Sequence, residues 1–315
     1  MSTKYYIGID LGGTFIKGGI VDKEGSIIAQ NKVPTEANVS GERICENIAK
    51  LTDMLLNETK IQKSDVAGIG MGAPGMIDYE KGVVICAENL ELTNFDIAGK
   101  VKALTGFEVK VANDANVATL GEVKFGAAKN AKDAIMLTLG TGVGGGMVCN
   151  GKLVEGNESA GAELGHTVIQ MGGELCSCGR RGCAEAYCSA TALIRETKKA
   201  MLKNRDRTMW EIGDVEKVDG KTPFDFASVD PYAKEVVDNY VYALATTITN
   251  FANVFRPETV IIGGGVCAQG DELVLPLQKI LDEEIYAGAL GPRVPIVTAT
   301  LGNTAGVLGA AALIM

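Results

Sequence analysis

Short apolar runs and helical stripes succeed one another along the whole chain. Tyr5–Ile9 is an apolar run, and Gly18–Val21 and Ser26–Val33 follow it, joined by the polar turn Asp22–Gly25. Runs of this length bounded by Gly and Asp read as strands. The period changes at Glu42–Thr59, where Ile44, Ile48, Leu51 and Leu55 fall on one face of a helix. Strand-like runs return at Val66–Met71, Val83–Ala87 and Val109–Val111, and a helix is predicted to follow and run through Gly126. The second half repeats the scheme. Ala134–Gly151 reads strand, turn, strand, with Ile135–Leu139 the first of the pair, and Ala190–Lys203 reads as a helix. Val237, Val241, Leu244, Ile248, Phe251 and Phe255 make Pro231–Phe255 a core helix stopped by Pro257. Thr259–Ile262 and Val294–Ala299 are the last strands. Ala305–Met315 is an apolar helix expected to fold back on the first domain, and the charged stretch up to Asp219, with the lone Trp210, is expected at the surface.

A chain of 315 residues can bury a large core and has room for two domains. Forty glycines point to many tight turns and close backbone approaches. A net charge of -9 disfavours sustained contact with a phosphate backbone, so no nucleic-acid partner is expected. The start, MSTKYYIGID, lacks a long apolar segment, and the uncharged stretches 134–151 and 239–255 are too glycine-rich or too polar to span a bilayer. No membrane partner is expected either. The eight cysteines then read as free thiols or metal ligands, which suits the cytoplasm.

One loop stands out chemically. His166 is the only histidine, and Cys176, Cys178 and Cys183 follow it closely, with Gly179 and Gly182 allowing a tight turn between the last two thiols. Three thiolates and one imidazole make a closed tetrahedral set, the signature of a structural Zn²⁺ site; the plain alternative is a few buried thiols beside a chance histidine. Cys188 is left over as a small core residue. Glu163 and Glu185 flank the loop, and carboxylates sort hydroxyl donors well, though isolated glutamates are commonly just solvated.

Glycine turns punctuate the strands. The first strand runs into Asp10-Leu-Gly12-Gly13-Thr14-x-x-Lys17, where backbone N–H groups, a hydroxyl and an ammonium could meet a phosphate and Asp10 could hold hydrated Mg²⁺. Gly140-Thr141-Gly142 repeats the device after Leu139, so the two turns could clamp a triphosphate from both sides. Gly263-Gly264-Gly265 offers bare backbone to an adenine or ribose. Each turn, taken alone, is also an ordinary hairpin or bend. Asn89 at a strand end reads either as a turn residue or as a sugar contact. Asp114 reads either as a helix N-cap or as a chemical group, with Asn113 or Asn116 able to cap in its place.

The sequences ELGHT and CSCGRRGCAE, with the turns above, closely resemble the signature of the ROK family (repressors, open reading frames and kinases), over essentially the full length. The resemblance implies an α/β fold of two ribonuclease-H-like domains, the actin, Hsp70 and hexokinase type, with a cleft between them. We expect an N-terminal domain over 1–115, a larger domain over 116–302 carrying the zinc loop 163–188, and the helix 303–315 packed on the first. The implied reaction moves the γ-phosphoryl group of Mg·ATP to the 6-hydroxyl of an aldohexose. Asp114 would be the general base, Asn113 would hold sugar hydroxyls, and Gly75 in the turn Gly72-Ala-Pro74-Gly75 would lie beside the sugar. Asn89, Glu163, His166 and Glu185 complete the expected sugar site. Asp10, Gly12, Gly13, Thr14, Lys17, Gly140, Thr141, Gly142, Gly264 and Gly265 would serve the nucleotide. Family members that take N-acetylmannosamine tend to carry arginine where this chain has Met76, which tilts the expectation to glucose. A repressor of the family would need a DNA-binding helix pair before the first strand, and only four residues stand there. A homo-oligomer, dimer or tetramer, is expected.

Overall fold

Three antiparallel strands open the chain: β1 (Tyr5–Leu11), β2 (Phe15–Val21) and β3 (Ile27–Pro34). Their inward residues, Ile7, Ile9, Ile16 and Ile20, are fully buried, as period-two alternation requires. Helix α1 (Gly41–Thr59) covers β2 and β3. Ser40 caps it by accepting the Arg43 N–H, and Ile44, Ile48, Leu51 and Leu55 are buried as the stripe predicts. β4 (Val66–Ala73) pairs with β1 in parallel, a small antiparallel sheet follows in β5 (Met76–Asp78), β6 (Val83–Ala87) and β7 (Leu92–Asp96), and α2 (Ile97–Thr105) leads to β8 (Val109–Asn113), parallel to β4. The main sheet therefore has the order β3-β2-β1-β4-β8, and α3 (Asp114–Phe125) leaves from the end of β8.

The computed structural model describes residues 4–205 and 207–315; they form two units. The second opens with β9 (Ala134–Leu139), and β10 (Val143–Cys149) then carries the chain back to the first, where its end pairs with β11 (Lys152–Leu153). Beyond residue 162 the second unit continues through α4 (Glu185–Cys188), α5 (Ala190–Lys203), α6 (Thr222–Phe226) and α7 (Pro231–Phe255). β12 (Thr259–Gly263) then lies parallel between β9 and β13 (Ile296–Thr298), with α8 (Asp271–Glu284) connecting them. Among the described residues no helix is long and apolar enough to cross a membrane.

The chain ends in α9 (Ala305–Ala312), which belongs to the first unit and packs on β1, β4 and α3. The approach is close because the facing residues are glycines: a methyl on Gly8 would overlap the Val307 carbonyl, and one on Gly70 the Ala310 carbonyl.

Two expectations need correction. The units divide as residues up to Lys132, 146–162 and 300–315 against 133–145 and 163–299, not at 115/116. Helix α3 stays with the first unit because Gly121 and Val117 pack against the backbone of α9 at Gly309. Nor is the stretch up to Asp219 merely a charged surface, although Asp206 within it lies outside the described residues. Met209 is fully buried and gives its N–H to the buried Asp230, while Trp210 Nε1 donates to the carbonyls of Met201 and Asn204.

Candidate functional site

In the first unit the turn after β1 is held from within. Gly12 N–H donates to Phe15 O at 3.1 Å. Buried Thr35 gives its hydroxyl to Gly12 O at 2.6 Å and its N–H to Thr14 O at 2.9 Å. Asp10 pairs across the two strands with Lys17, whose Nζ lies 3.4 Å from Oδ2. Gly13 neighbours Asn89, which stands in the short turn Glu88–Leu90.

At the end of β8 Asp114 does not cap the helix that follows. Asn113 is the cap: its Oδ1 accepts the N–H groups of Ala115 and Asn116 at 2.9 and 3.3 Å. Its Nδ2 donates to Gly75 O at 3.0 Å, which joins it to the Pro-Gly turn. Gly75 has φ 90°, and a Cβ there would strike Cys86 O, so that position is closed to other residues. Asp114 is thereby released from capping, and its Oδ1 accepts the Ala115 N–H at 2.8 Å. Its carboxylate reaches solvent, yet desolvation by the surrounding protein raises its pKa; the Ala115 N–H opposes this and the Asp10 charge adds to it. Asn116 caps nothing. Its Nδ2 faces Glu155 Oε2 at 3.4 Å, while Asn116 Oδ1 and Glu155 Oε1 are buried without a protein partner. Burial raises Glu155 as well.

In the second unit the turn after β9 is held by other parts of the chain. Ala190 N–H donates to Gly140 O at 2.8 Å and Thr191 Oγ1 to Thr141 O at 2.7 Å, so the start of α5 grips it. Val143 N–H donates to Glu185 Oε2 at 3.1 Å. Space around Gly140 is open, whereas a Cβ on Gly142 would overlap Glu185. Gly264, at φ 84°, backs onto Leu139, and Gly265 faces open space. Glu163 is exposed, and its carbonyl accepts the His166 N–H at 3.1 Å. Burial by itself would raise Glu185, but hydrogen bonds from Ser177, the Val143 N–H and Cys176 hold it low.

The ligand atoms of His166, Cys176, Cys178 and Cys183 all lie within 4.8 Å of one another. Cys178 and Cys183 Sγ are 3.8 Å apart, and Cys176 Sγ is 3.6 Å from His166 Nδ1. Two thiolates each about 2.3 Å from a tetrahedral centre stand about 3.8 Å apart, and a thiolate and an imidazole nitrogen about 3.6 Å. The donor set fits four-coordinate zinc in composition and spacing.

Four supporting residues carried no sequence signal: Thr35, Ser177, Thr191 and Glu122. Glu122 is a fully buried carboxylate that accepts N–H groups from Ala127, Thr300 and Leu301 at 2.8, 3.0 and 2.8 Å. An acidic residue between the apolar neighbours of α3 was the only hint available.

Sheet order, the paired Gly-Thr turns and the returning helix define the two-domain ribonuclease-H-like ATPase class. The ROK family model matches residues 6–315, and the chain belongs to that family. It is 40% identical to the glucokinase of Halalkalibacterium halodurans, over 98% of this chain and 94% of that one. It is 37% identical to the Thermotoga maritima glucokinase, over 98% and 96%. The solved ROK glucokinase of Streptomyces griseus, in complex with glucose and AMPPNP, is 33% identical, with a TM-score of 0.78 over 98% of each chain.

Proposed function

We propose that the chain is an ATP-dependent glucokinase. It transfers the γ-phosphoryl group of ATP to the 6-hydroxyl of glucose and releases glucose 6-phosphate. The observation that carries this reading is the capping of α3 by Asn113, which leaves the Asp114 carboxylate free to take a proton. Near full-length identity to glucokinases supports the acceptor, and the AMPPNP complex of the Streptomyces griseus enzyme supports the donor.

Asp114 orients the 6-hydroxyl and accepts its proton as the phosphoryl group arrives; its raised pKa moves it toward the pH at which a base is effective. Phosphoryl transfer is loose, so positioning and charge neutralisation supply most of the acceleration. Backbone N–H groups at Gly12, Gly13, Gly140 and Gly142, the hydroxyls of Thr14 and Thr141, and Lys17 bind the phosphates. Asp10 would hold hydrated Mg²⁺, which would supply charge neutralisation to the phosphates. Gly264 and Gly265 lie along the adenosine. Gly75, Asn89, Asn113, Glu163, His166 and Glu185 hold sugar hydroxyls; Asn113 does so with its remaining Nδ2 hydrogen, since its Oδ1 serves the cap. Zn²⁺ is the metal we assign to His166, Cys176, Cys178 and Cys183. It fixes the loop, with His166 Nδ1 on the thiol side and Nε2 left for a sugar hydroxyl.

Eight cysteines with no disulfide among the described residues suit a reducing cytoplasm. Exposed Val254, Tyr286 and Leu290 suit burial in a homo-oligomer, which light scattering would size. A coupled assay with ATP across glucose, mannose, fructose, N-acetylglucosamine and N-acetylmannosamine tests the reaction. The highest kcat/KM is expected for glucose; turnover of N-acetylmannosamine alone would reassign the acceptor, and turnover of none would remove the kinase reading.

A further inference from the structure

Glu185 sits where two loops of the second unit meet. Its Oε2 accepts the N–H of Val143, the residue directly after the Gly140–Gly142 turn. Its Oε1 accepts the Ser177 hydroxyl at 2.5 Å, with Cys176 Sγ at 3.4 Å. Ser177 is the residue between the two metal ligands Cys176 and Cys178. Gly142 makes room for the arrangement, because a Cβ there would overlap the carboxylate. Ser177 itself is exposed and packs in no core. One carboxylate therefore hydrogen-bonds the metal loop on one side and the phosphate turn on the other. A carboxylate held at both oxygens is fixed in orientation, and charge-assisted bonds of this kind are short and directional.

We propose that Ser177 is a positioning residue: by holding Glu185 it sets the Gly140–Gly142 turn for the nucleotide, so that order in the metal loop reaches ATP as well as sugar. This rests on the reading of that turn as a phosphate turn and of the His-Cys₃ cluster as a zinc site. Without the Ser177 hydroxyl, Oε1 keeps only the Cys176 sulfur beside it. The carboxylate can then rotate, and the Val143 N–H loses its fixed acceptor. Sugar hydroxyls should feel the change less, since of the six residues assigned to them only Glu185 bonds Ser177.

The test compares full-length, zinc-loaded Ser177→Ala, Ser177→Thr and Thr141→Ala with the wild type. Zinc per chain, KM for ATP and glucose, and hydrogen exchange at the Val143 amide are measured. Loss of one hydrogen bond to a charged acceptor should raise the ATP KM of Ser177→Ala by about 3- to 10-fold. Zinc should stay bound, Val143 exchange should quicken, and the glucose KM should rise clearly less than the ATP KM, because five of the six sugar residues keep their supports. Ser177→Thr, which keeps the hydroxyl, should restore both ATP KM and exchange. An unchanged ATP KM and Val143 exchange in Ser177→Ala, with Thr141→Ala still weakening ATP, would overturn the relay alone. If Thr141→Ala also left ATP untouched, the phosphate-turn reading would fail and the relay with it. A glucose KM rising as far as the ATP KM would overturn it too, by making Ser177 a general support of the loop.

Discussion

The two Gly-Thr turns, Gly12–Thr14 and Gly140–Gly142, look like copies in sequence but are supported differently. The first is a hairpin turn between two paired strands, tied down by Thr35 from the next strand end and by the Asp10–Lys17 pair across the same hairpin. These hydrogen bonds and this ion pair all lie within residues 10–35. The second turn is held by the start of α5 and by Glu185, which in turn is held by Ser177 in the metal loop. A local hairpin carries the first; a distant loop, the one assigned to zinc, carries the second. Similar glycine and threonine content thus does not carry similar support.

That contrast can be pushed experimentally. The chemistry is assigned to the first unit, so Asp114→Asn should lower kcat by ~10² or more while glucose binding barely changes. Steady-state rates beside glucose titration would check it, and near-normal turnover would remove Asp114 from its role. Stripping zinc with a chelator, or Cys178→Ala, should act on the second unit and cost about 10- to 100-fold in kcat/KM, as loss of metal-site order does elsewhere. ATP and glucose KM should both rise; a zinc-free protein with normal kinetics would erase the difference between the turns. Thr35→Val should loosen only the first turn and raise the ATP KM by roughly 3- to 10-fold at unchanged zinc content. Combined with Ser177→Ala, its effect should add to within about 0.5 kcal/mol, because the two supports share no partner. The smallest effect is electrostatic. Asp114 works as a carboxylate, so activity falls as pH drops through its raised pKa, and the acid limb of kcat/KM should lie above the ordinary aspartate range. Removing the Asp10 charge in Asp10→Asn should move that limb to lower pH, whatever it does to the rate; a shift upward would contradict the sign of their coupling.

The sequence was most legible where a residue's type alone carried the signal. Helices α1, α5 and α7 came from apolar spacing, and the His-Cys₃ set came from ligand chemistry that has few other uses. Helix α8 escaped notice, since Pro276 inside it and its acidic ends blur the stripe of Leu273, Leu277 and Leu281. Strands β5 and β7 are short and half-exposed, so they lack a periodic signature. At the site, Asp114 alone was ambiguous until Asn113 was seen to take the cap. Ser177, Thr35 and Thr191 were invisible for a different reason: a hydroxyl donating to an acceptor 8, 23 or 50 residues away follows no helical or strand period. The unit boundary failed likewise, because glycine-to-backbone packing between α3 and α9 shows in sequence only as scattered glycines.

Helix α9 has a consequence for how the protein is made. Its backbone lies against Gly8 and Gly70, so strand β1 is covered by a helix synthesised only after the whole second unit. Buried Glu122 likewise waits for the N–H groups of Thr300 and Leu301. During synthesis the early sheet must stay uncovered on that face while the whole second unit emerges and folds. Contacts of such long sequence separation form late and slowly, and an uncovered sheet face is open to aggregation. A nascent chain stalled before residue 300 should therefore be the form that chaperones hold, and emergence of residues 300–315 should be the event that frees it.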